Sequence, residues 1–270
     1  MKKTFFSLLL LTFVLVAPLA HANADASPAN KWSFSDNFNR VSVGVVALTR
    51  PDFIGSDKQE TDVFPMIQGQ YNFNQKNAIY FRGISFGYEH RYNQNLKFGI
   101  DTGARSSRKE DDDPRLAGMG DISTAFEVGP WVDAEISGFS LKSKLMFDVS
   151  GEHGGFVGDL KLSKRLVDFG RQAQLPTLDL YAETSWGSGD FMDTYFDVTP
   201  AQALASRPAF NADAGFYQSA MGAVFMYAVR KNIFLRLDGK VQFLHGDAKN
   251  SGVTFDNTNF QGFLGVGYTF

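Results

Sequence analysis

The chain has 270 residues, a formal net charge of −3, no cysteine, and 27 Phe, 9 Tyr and 26 Gly. So mild an acidity, with no basic cluster, speaks against nucleic acid as a partner, and the missing thiols exclude a disulfide framework and a thiolate metal site. Beyond residue 22 the longest fully apolar runs are Val43 to Leu48 and Ala223 to Val229, far short of the ~20 residues a helix needs to cross a bilayer, so a helical membrane protein is excluded too.

In chain order, Lys2 and Lys3 precede an apolar stretch from Phe5 to Leu19 and then small residues at Ala20, Ala22, Ala24 and Ala26. This is the pattern of a secretory signal peptide, with cleavage predicted after Ala22 and Ala24 as the alternative. Residues 1–22 are therefore expected to be a leader and residues 23–39 a periplasmic N-terminal segment. That segment is polar but carries Trp32, Phe34 and Phe38, which suits docking on a partner or plugging a periplasmic mouth.

From residue 40 to 270 the hydropathy has a period of two. Leu96, Phe98 and Ile100 alternate with Lys97, Asp101 and Arg105; Leu141, Leu145, Phe147 and Val149 oppose Lys142, Lys144 and Asp148. Leu178, Leu180 and Ala182 oppose Asp179, Tyr181 and Glu183, while Ile233, Leu235, Leu237, Val241 and Phe243 oppose Arg236, Asp238, Lys240 and Gln242. Repeated strands of this kind mark a membrane barrel whose outer face meets lipid and whose inner face meets water. A soluble β-sandwich alternates as well. The ending decides between them, because Gly262, Leu264, Val266, Tyr268 and Phe270 share one face and finish on an aromatic. Rings at a strand end settle at the lipid headgroup boundary, and Val266, Tyr268 and Phe270 resemble the signal read by the barrel assembly machinery.

Short polar connections at Asn74 to Lys76, Asn93 to Asn95, Ser137 to Gly138, Asp168 to Leu175 and Arg230 to Lys231 are predicted periplasmic turns. Longer ones at Arg50 to Thr61, Ser106 to Ala117, Gly151 to Gly155, Gly187 to Asn211 and Gly246 to Asn257 are predicted extracellular loops. The stretch 77–92 lies between two periplasmic turns, so it must go out and return, reversing near Arg82 and Gly83. The sequence thus predicts an all-β, antiparallel up-and-down transmembrane barrel of twelve strands, ten being the alternative, closed by a last strand ending at Phe270.

Chemistry is sparse. With the leader gone the histidines are His90, His153 and His245, no Ser, His and Asp share a triad spacing, and no pair of histidines has metal-ligand spacing. His153, in the glycine-rich stretch Gly151 to Gly155, is the one catalytic candidate to weigh, and it reads better as a polar residue of a turn. The acidic run Glu110 to Asp113 reads as a solvated loop tip before a divalent-cation site. No enzyme activity, cofactor or metal is expected. The predicted lumen carries Lys97, Arg105, Lys142, Lys144, Lys161, Arg165, Arg236 and Lys240 against Asp101, Asp121, Glu127, Asp133, Glu135, Asp148, Asp159, Asp179, Glu183 and Asp238. These are expected to pair across a lumen narrower than that of a general porin.

Several loop sequences together resemble the MipA/OmpV family, the MltA-interacting protein family of outer-membrane barrels. They are Pro51-Asp52-Phe53-Ile54-Gly55-Ser56-Asp57 with the later Pro65, Arg115-Leu116-Ala117-Gly118-Met119-Gly120-Asp121, and His153-Gly154-Gly155. With them go Met192 to Ala203, including Tyr195, Phe196 and Gln202, then Leu244-His245-Gly246-Asp247-Ala248-Lys249-Asn250-Ser251, and the closing Gly265 to Phe270. Asp197 departs from a usual glycine and Gly252 from a common proline. The resemblance implies a cell-envelope scaffold in the Gram-negative outer membrane that holds a lytic transglycosylase near a bifunctional penicillin-binding protein in peptidoglycan growth. A narrow channel for small solutes and a surface adhesin are the alternatives.

Overall fold

The computed structural model describes residues 40–168 and 176–270. Expectations for the leader, the N-terminal segment and most of the turn from Asp168 to Leu175 fall outside them. The strands are β1 (Arg40–Pro51), β2 (Gln59–Asn72), β3 (Asn77–Arg82), β4 (Ser85–Arg91), β5 (Leu96–Arg105) and β6 (Ala125–Ile136), followed by β7 (Phe139–Asp148), β8 (Phe156–Asp168), β9 (Thr177–Gly187), β10 (Gly215–Arg230), β11 (Ile233–Leu244) and β12 (Thr258–Thr269). Each pairs antiparallel with its sequence neighbours, and β1 pairs with β12, from Ser42 against Thr269 to Thr49 against Gly262. The result is a closed barrel of twelve strands, the architecture predicted. Phe270 adds a backbone hydrogen bond to the Val41 carbonyl at 2.9 Å.

Closure follows from the solvent. Hydrocarbon offers no partner to a bare backbone N–H or C=O, so a sheet in lipid must have its groups paired. Alternation then assigns the faces. Val45, Ile100, Leu180, Leu237, Leu264 and Val266 are exposed on the outside, while Asp101, Glu127, Lys142 and Arg236 are buried inside. Tight hairpins set the periplasmic rim; in one, Ser137 (φ 53°) and Gly138 (φ 78°) are both left-handed, the backbone whose twist matches the flanking strands.

Inside, the wall is built of glycine, ring and cation. The Tyr80 ring covers Gly87 and the Tyr181 ring covers Gly222, positions where any Cβ would collide with the ring. Cations then sit over the rings: Arg82 at 4.3 Å from the Tyr80 centroid, Lys161 at 3.4 Å from Tyr181, Lys142 at 4.7 Å from Trp131. The ion pairs differ from expectation in direction. Arg105 bonds Glu127 and Arg165 bonds Asp179 on the next strand, whereas Lys144 reaches Asp101 and Lys240 reaches Glu183 two strands along. Short reach explains this: a side chain meets its wall neighbours before it meets the far side of a twelve-stranded cylinder. Asp121, expected in the lumen, lies instead in the exposed 106–124 loop, where it accepts from the Glu110 N–H at 2.9 Å.

One sector of the inner wall is apolar. Val46 and Leu48 of β1, Phe64 and Met66 of β2 and Phe263 of β12 bury one another, with Phe234 of β11 packed against them. The wall beside it is low. β3 and β4 have 6 and 7 residues, roughly 15 Å of height once tilted at ~40°, against an apolar band of ~25 Å. β3 pairs with β2 only from Gln68 to Asn72, with Ile67 still accepting from the Gly83 N–H, so Gln59 to Met66 are paired to β1 alone.

Candidate functional site

Nearly every family-like motif sits in the extracellular loops, and the structure folds these loops together over the barrel mouth. The 188–214 segment, read from sequence as loop, begins with helix α1 (Gly189–Phe196). Ser188 caps it, its Oγ accepting from the Phe191 and Phe156 N–H groups. Phe191, Met192, Tyr195 and Phe196 lie at the spacing of one helical face, and all are buried. That face packs on Ile122, Val157, Ala212, Tyr217, Leu244 and Ala248, the last belonging to helix α2 (Gly246–Asn250). A second apolar cluster ties the 52–58 segment to the same loops through Phe53, Leu116, Met119, Val198 and Val253. Burying each large side chain contributes roughly 1.5–3 kcal/mol, so the cap has a core of its own.

Polar locks complete it. Arg115 bonds both Asp57 and Asp113 and lies 3.7 Å from the Phe255 ring centroid, while Lys58 pairs with Asp113 at 2.6 Å. Arg207 donates to the carbonyls of Arg115, Ala117 and Gln202, and Gln202 donates to the Met119 carbonyl. A Cβ at Gly252 would press on the Arg207 side chain, which accounts for glycine there. Asp197, the other departure, accepts from the Ala212 N–H at 2.6 Å. Ser251 donates to the Phe196 carbonyl, Asp247 accepts from the Asp213 N–H, and Ser56, wholly buried, accepts from the Lys58 N–H. Gly246 is left-handed where α2 begins, and Pro51 closes β1 as the chain enters the cap. The acidic run enters this lock through Glu110, Asp112 and Asp113: Glu110 accepts from the N–H groups of Gly118 (φ 80°) and Gly120 (φ 73°), both left-handed turns, and Asp112 from the Lys109 N–H. Arg108 donates to the Tyr195 carbonyl, and its burial lowers the guanidinium to about 10, still cationic at neutral pH.

Beneath α1 lies the most enclosed polar cluster. Arg105 donates to both oxygens of Glu127, at 2.8 and 3.2 Å. His153 Nδ1 accepts from the Gly155 N–H at 3.2 Å, which places the ring proton on Nε2, 3.1 Å from Glu127 Oε1. Asp148 holds the turn below by accepting from the N–H groups of His153 and Gly154. The His153 ring stands edge-on to Phe191 at 5.4 Å and Arg105 lies 5.0 Å from the same ring. Both ring nitrogens are engaged, Nδ1 in holding the turn and Nε2 on Glu127 of β6. Among the described residues no three His, Cys, Asp or Glu side chains gather as a metal site.

The structure thus brings Phe53, Gly55, Asp57, Arg115, Leu116, Gly118, Gly120, Tyr195, Phe196, Gln202, Asp247 and Ser251 into one cap. It does not bring in Pro65, which stands alone on β2, nor Val266, Tyr268 and Phe270 at the opposite rim. Sequence reasoning missed Phe191, Arg108 and Arg207; the Ser188 cap followed by paired apolar residues was a legible signal for α1.

The hydrogen bonds from Arg115 hold the Asp57 and Asp113 carboxyls below the ordinary carboxylate range. A carboxylate held low contributes stability that is complete above ~4 and lost as pH falls through the depressed values. Hydrogen exchange at the lock residues 57, 113 and 115, corrected for intrinsic rates, should therefore show constant protection from pH 8 to about 4 and weaken only below. Loosening between pH 7 and 5 would contradict this origin.

No curated protein matches the chain. Among solved structures, the NanC porin is 11% identical, with 84% of this chain and 98% of that one covered and a TM-score of 0.43. The Pseudomonas putida toluene transporter TodX is 10% identical over 92% of this chain and 93% of that one, with a TM-score of 0.41. The COG4313 outer membrane channel from Pseudomonas putida F1 is 11% identical over 90% and 99%, with a TM-score of 0.40. Residues 43–270 match the model of the family described as MltA-interacting protein MipA, and the chain belongs to that outer-membrane barrel family.

Proposed function

We propose that the protein is a non-enzymatic outer-membrane scaffold whose periplasmic side binds a lytic transglycosylase and, with it, a murein synthase. The family description names MltA, a lytic transglycosylase, as the interacting protein. The observation that favours binding over transport is the cap: four loops with two apolar clusters close the outer mouth above a wall of paired charges. In this reading residues 1–22 are removed on export, and residues 23–39 supply part of the periplasmic docking surface.

Tagged protein drawn from envelope extracts should bring down a murein hydrolase together with a penicillin-binding synthase. Their absence from the captured material would sink the scaffold. The channel reading separates cleanly in planar bilayers, where the wild-type barrel is expected to pass far less current than a general porin; porin-sized conductance would make transport the function.

A further inference from the structure

In one belt of the lumen the positive charges outnumber the carboxylates that answer them. Lys161 and Lys240 both turn to Glu183, at 3.7 and 2.8 Å. Lys97 of β5 and Lys142 of β7 flank Asp133 of β6 in register. Arg236 has Asp238 and Lys144 has Asp101, while Arg82 ends β3 on the same inner face, against the buried Tyr80 ring. The belt thus carries seven cations against four carboxylates, or five with the neighbouring Asp159, which accepts from the Ser185 hydroxyl. Nearer the periplasmic rim the pairs are balanced, Arg91 with Glu89 and Arg165 with Asp179.

The surplus has a focus. Arg82, Lys142 and Arg236 stand on β3, β7 and β11, each four strands from the next, so a third of a turn separates them around the closed cylinder of twelve. Arg82 lies within reach of the charges of both Arg236 and Lys142, and Lys161 within reach of those of Arg236 and Lys240. Arg236 donates from Nη2 to Asp238 at 3.0 Å, yet its Nε and Nη1 are buried and make no hydrogen bond among the described residues. A buried charged donor without an acceptor is costly, and such a group marks a place for an ion or a water. Surrounding positive charge favours the anion.

The approach is from the periplasm, since the cap closes the other end. Side-chain exposure falls from 25% at Arg165 and 24% at Arg91, near that rim, to 10% at Lys161 and 3% at Arg236. So enclosed a focus suits only a small ligand.

We propose that the belt holds one small oxyanion of the phosphate type, bound by Arg236 with Arg82 facing it across the lumen and Lys161 and Lys240 beside it. Guanidinium and ammonium groups meet such an ion through charge-assisted hydrogen bonds, which are strong where water is scarce. The inference is independent of the scaffold reading and requires no passage through the capped mouth.

The test uses the full mature chain, folded in a non-ionic detergent at low salt, and equilibrium dialysis against radiolabelled inorganic phosphate. One phosphate per barrel is expected to bind, with half-saturation at about 1 mM or below. Arg236→Gln and Arg82→Gln should each weaken it at least about tenfold, whereas Lys164→Gln, the same charge change on the outer face of β8, should leave it unchanged. Folding of each variant is checked by its heat-modifiable gel mobility. The wild-type barrel supplies a second readout: phosphate should slow acetylation of Lys161 and Lys240, followed by peptide mass spectrometry, and not that of Lys164. Absence of saturable binding to the wild-type barrel, binding that survives in both folded arginine variants, or acetylation of Lys161 and Lys240 indifferent to phosphate overturns the proposal.

Discussion

Replacing Glu127 with alanine should destabilise the barrel by about 3–5 kcal/mol, because a buried cation then loses its carboxylate. Glu127 is 1% exposed and serves two donors, Arg105 and His153. Removing it leaves both facing an apolar ring, Phe191. Glu127→Gln keeps an acceptor but not the charge, and should recover only part of the loss. Urea unfolding of the detergent-solubilised protein, followed by the heat-modifiable shift in gel mobility, gives the difference. An alanine variant within 1 kcal/mol of wild type would show that the cluster is hydrated and that the cap above it is not sealed.

Phe191→Ala should be the other large change, and its effect should be local. Fully buried Phe→Ala substitutions cost about 3–5 kcal/mol, and Phe191 contacts Tyr195, Phe196 and Tyr217 rings besides Arg105 and His153. The helix carrying it has 8 residues, too short to persist without its packing. Amide protection across residues 189–196 should collapse while the strands stay protected, and single-barrel conductance should rise severalfold. Lost protection with unchanged current would mean that the wall charges alone block the lumen; intact protection would mean that α1 does not depend on Phe191.

How far the sequence foretells this molecule depends on whether the determinant is local. Alternation in β5, β7, β9 and β11 is a period of two written along the chain, and the reversal near Arg82 and Gly83 follows from parity; both are found in the barrel. The inner apolar sector was harder. Val43 to Leu48 is apolar on both faces, which erases alternation and reads as a featureless run; only the fold reveals that Val45 faces lipid while Val46 and Leu48 line the lumen. The cap was harder still, since Phe53, Leu116, Val198 and Val253 are far apart in sequence and no single loop announces that it will bury its hydrophobic residue against three others. The motifs that suggested the family proved to be largely the cap's turns and locks, so they mark the architecture of the outer mouth before any partner surface.

The seam between β1 and β12 ties the order of synthesis to the order of assembly. β1 waits, with one flank bare, for β12 to arrive, and an intermediate that lacks β12 keeps an edge that oil cannot satisfy. Closing the cylinder is therefore the docking of the two strands most distant along the described chain, and it removes the last bare edge.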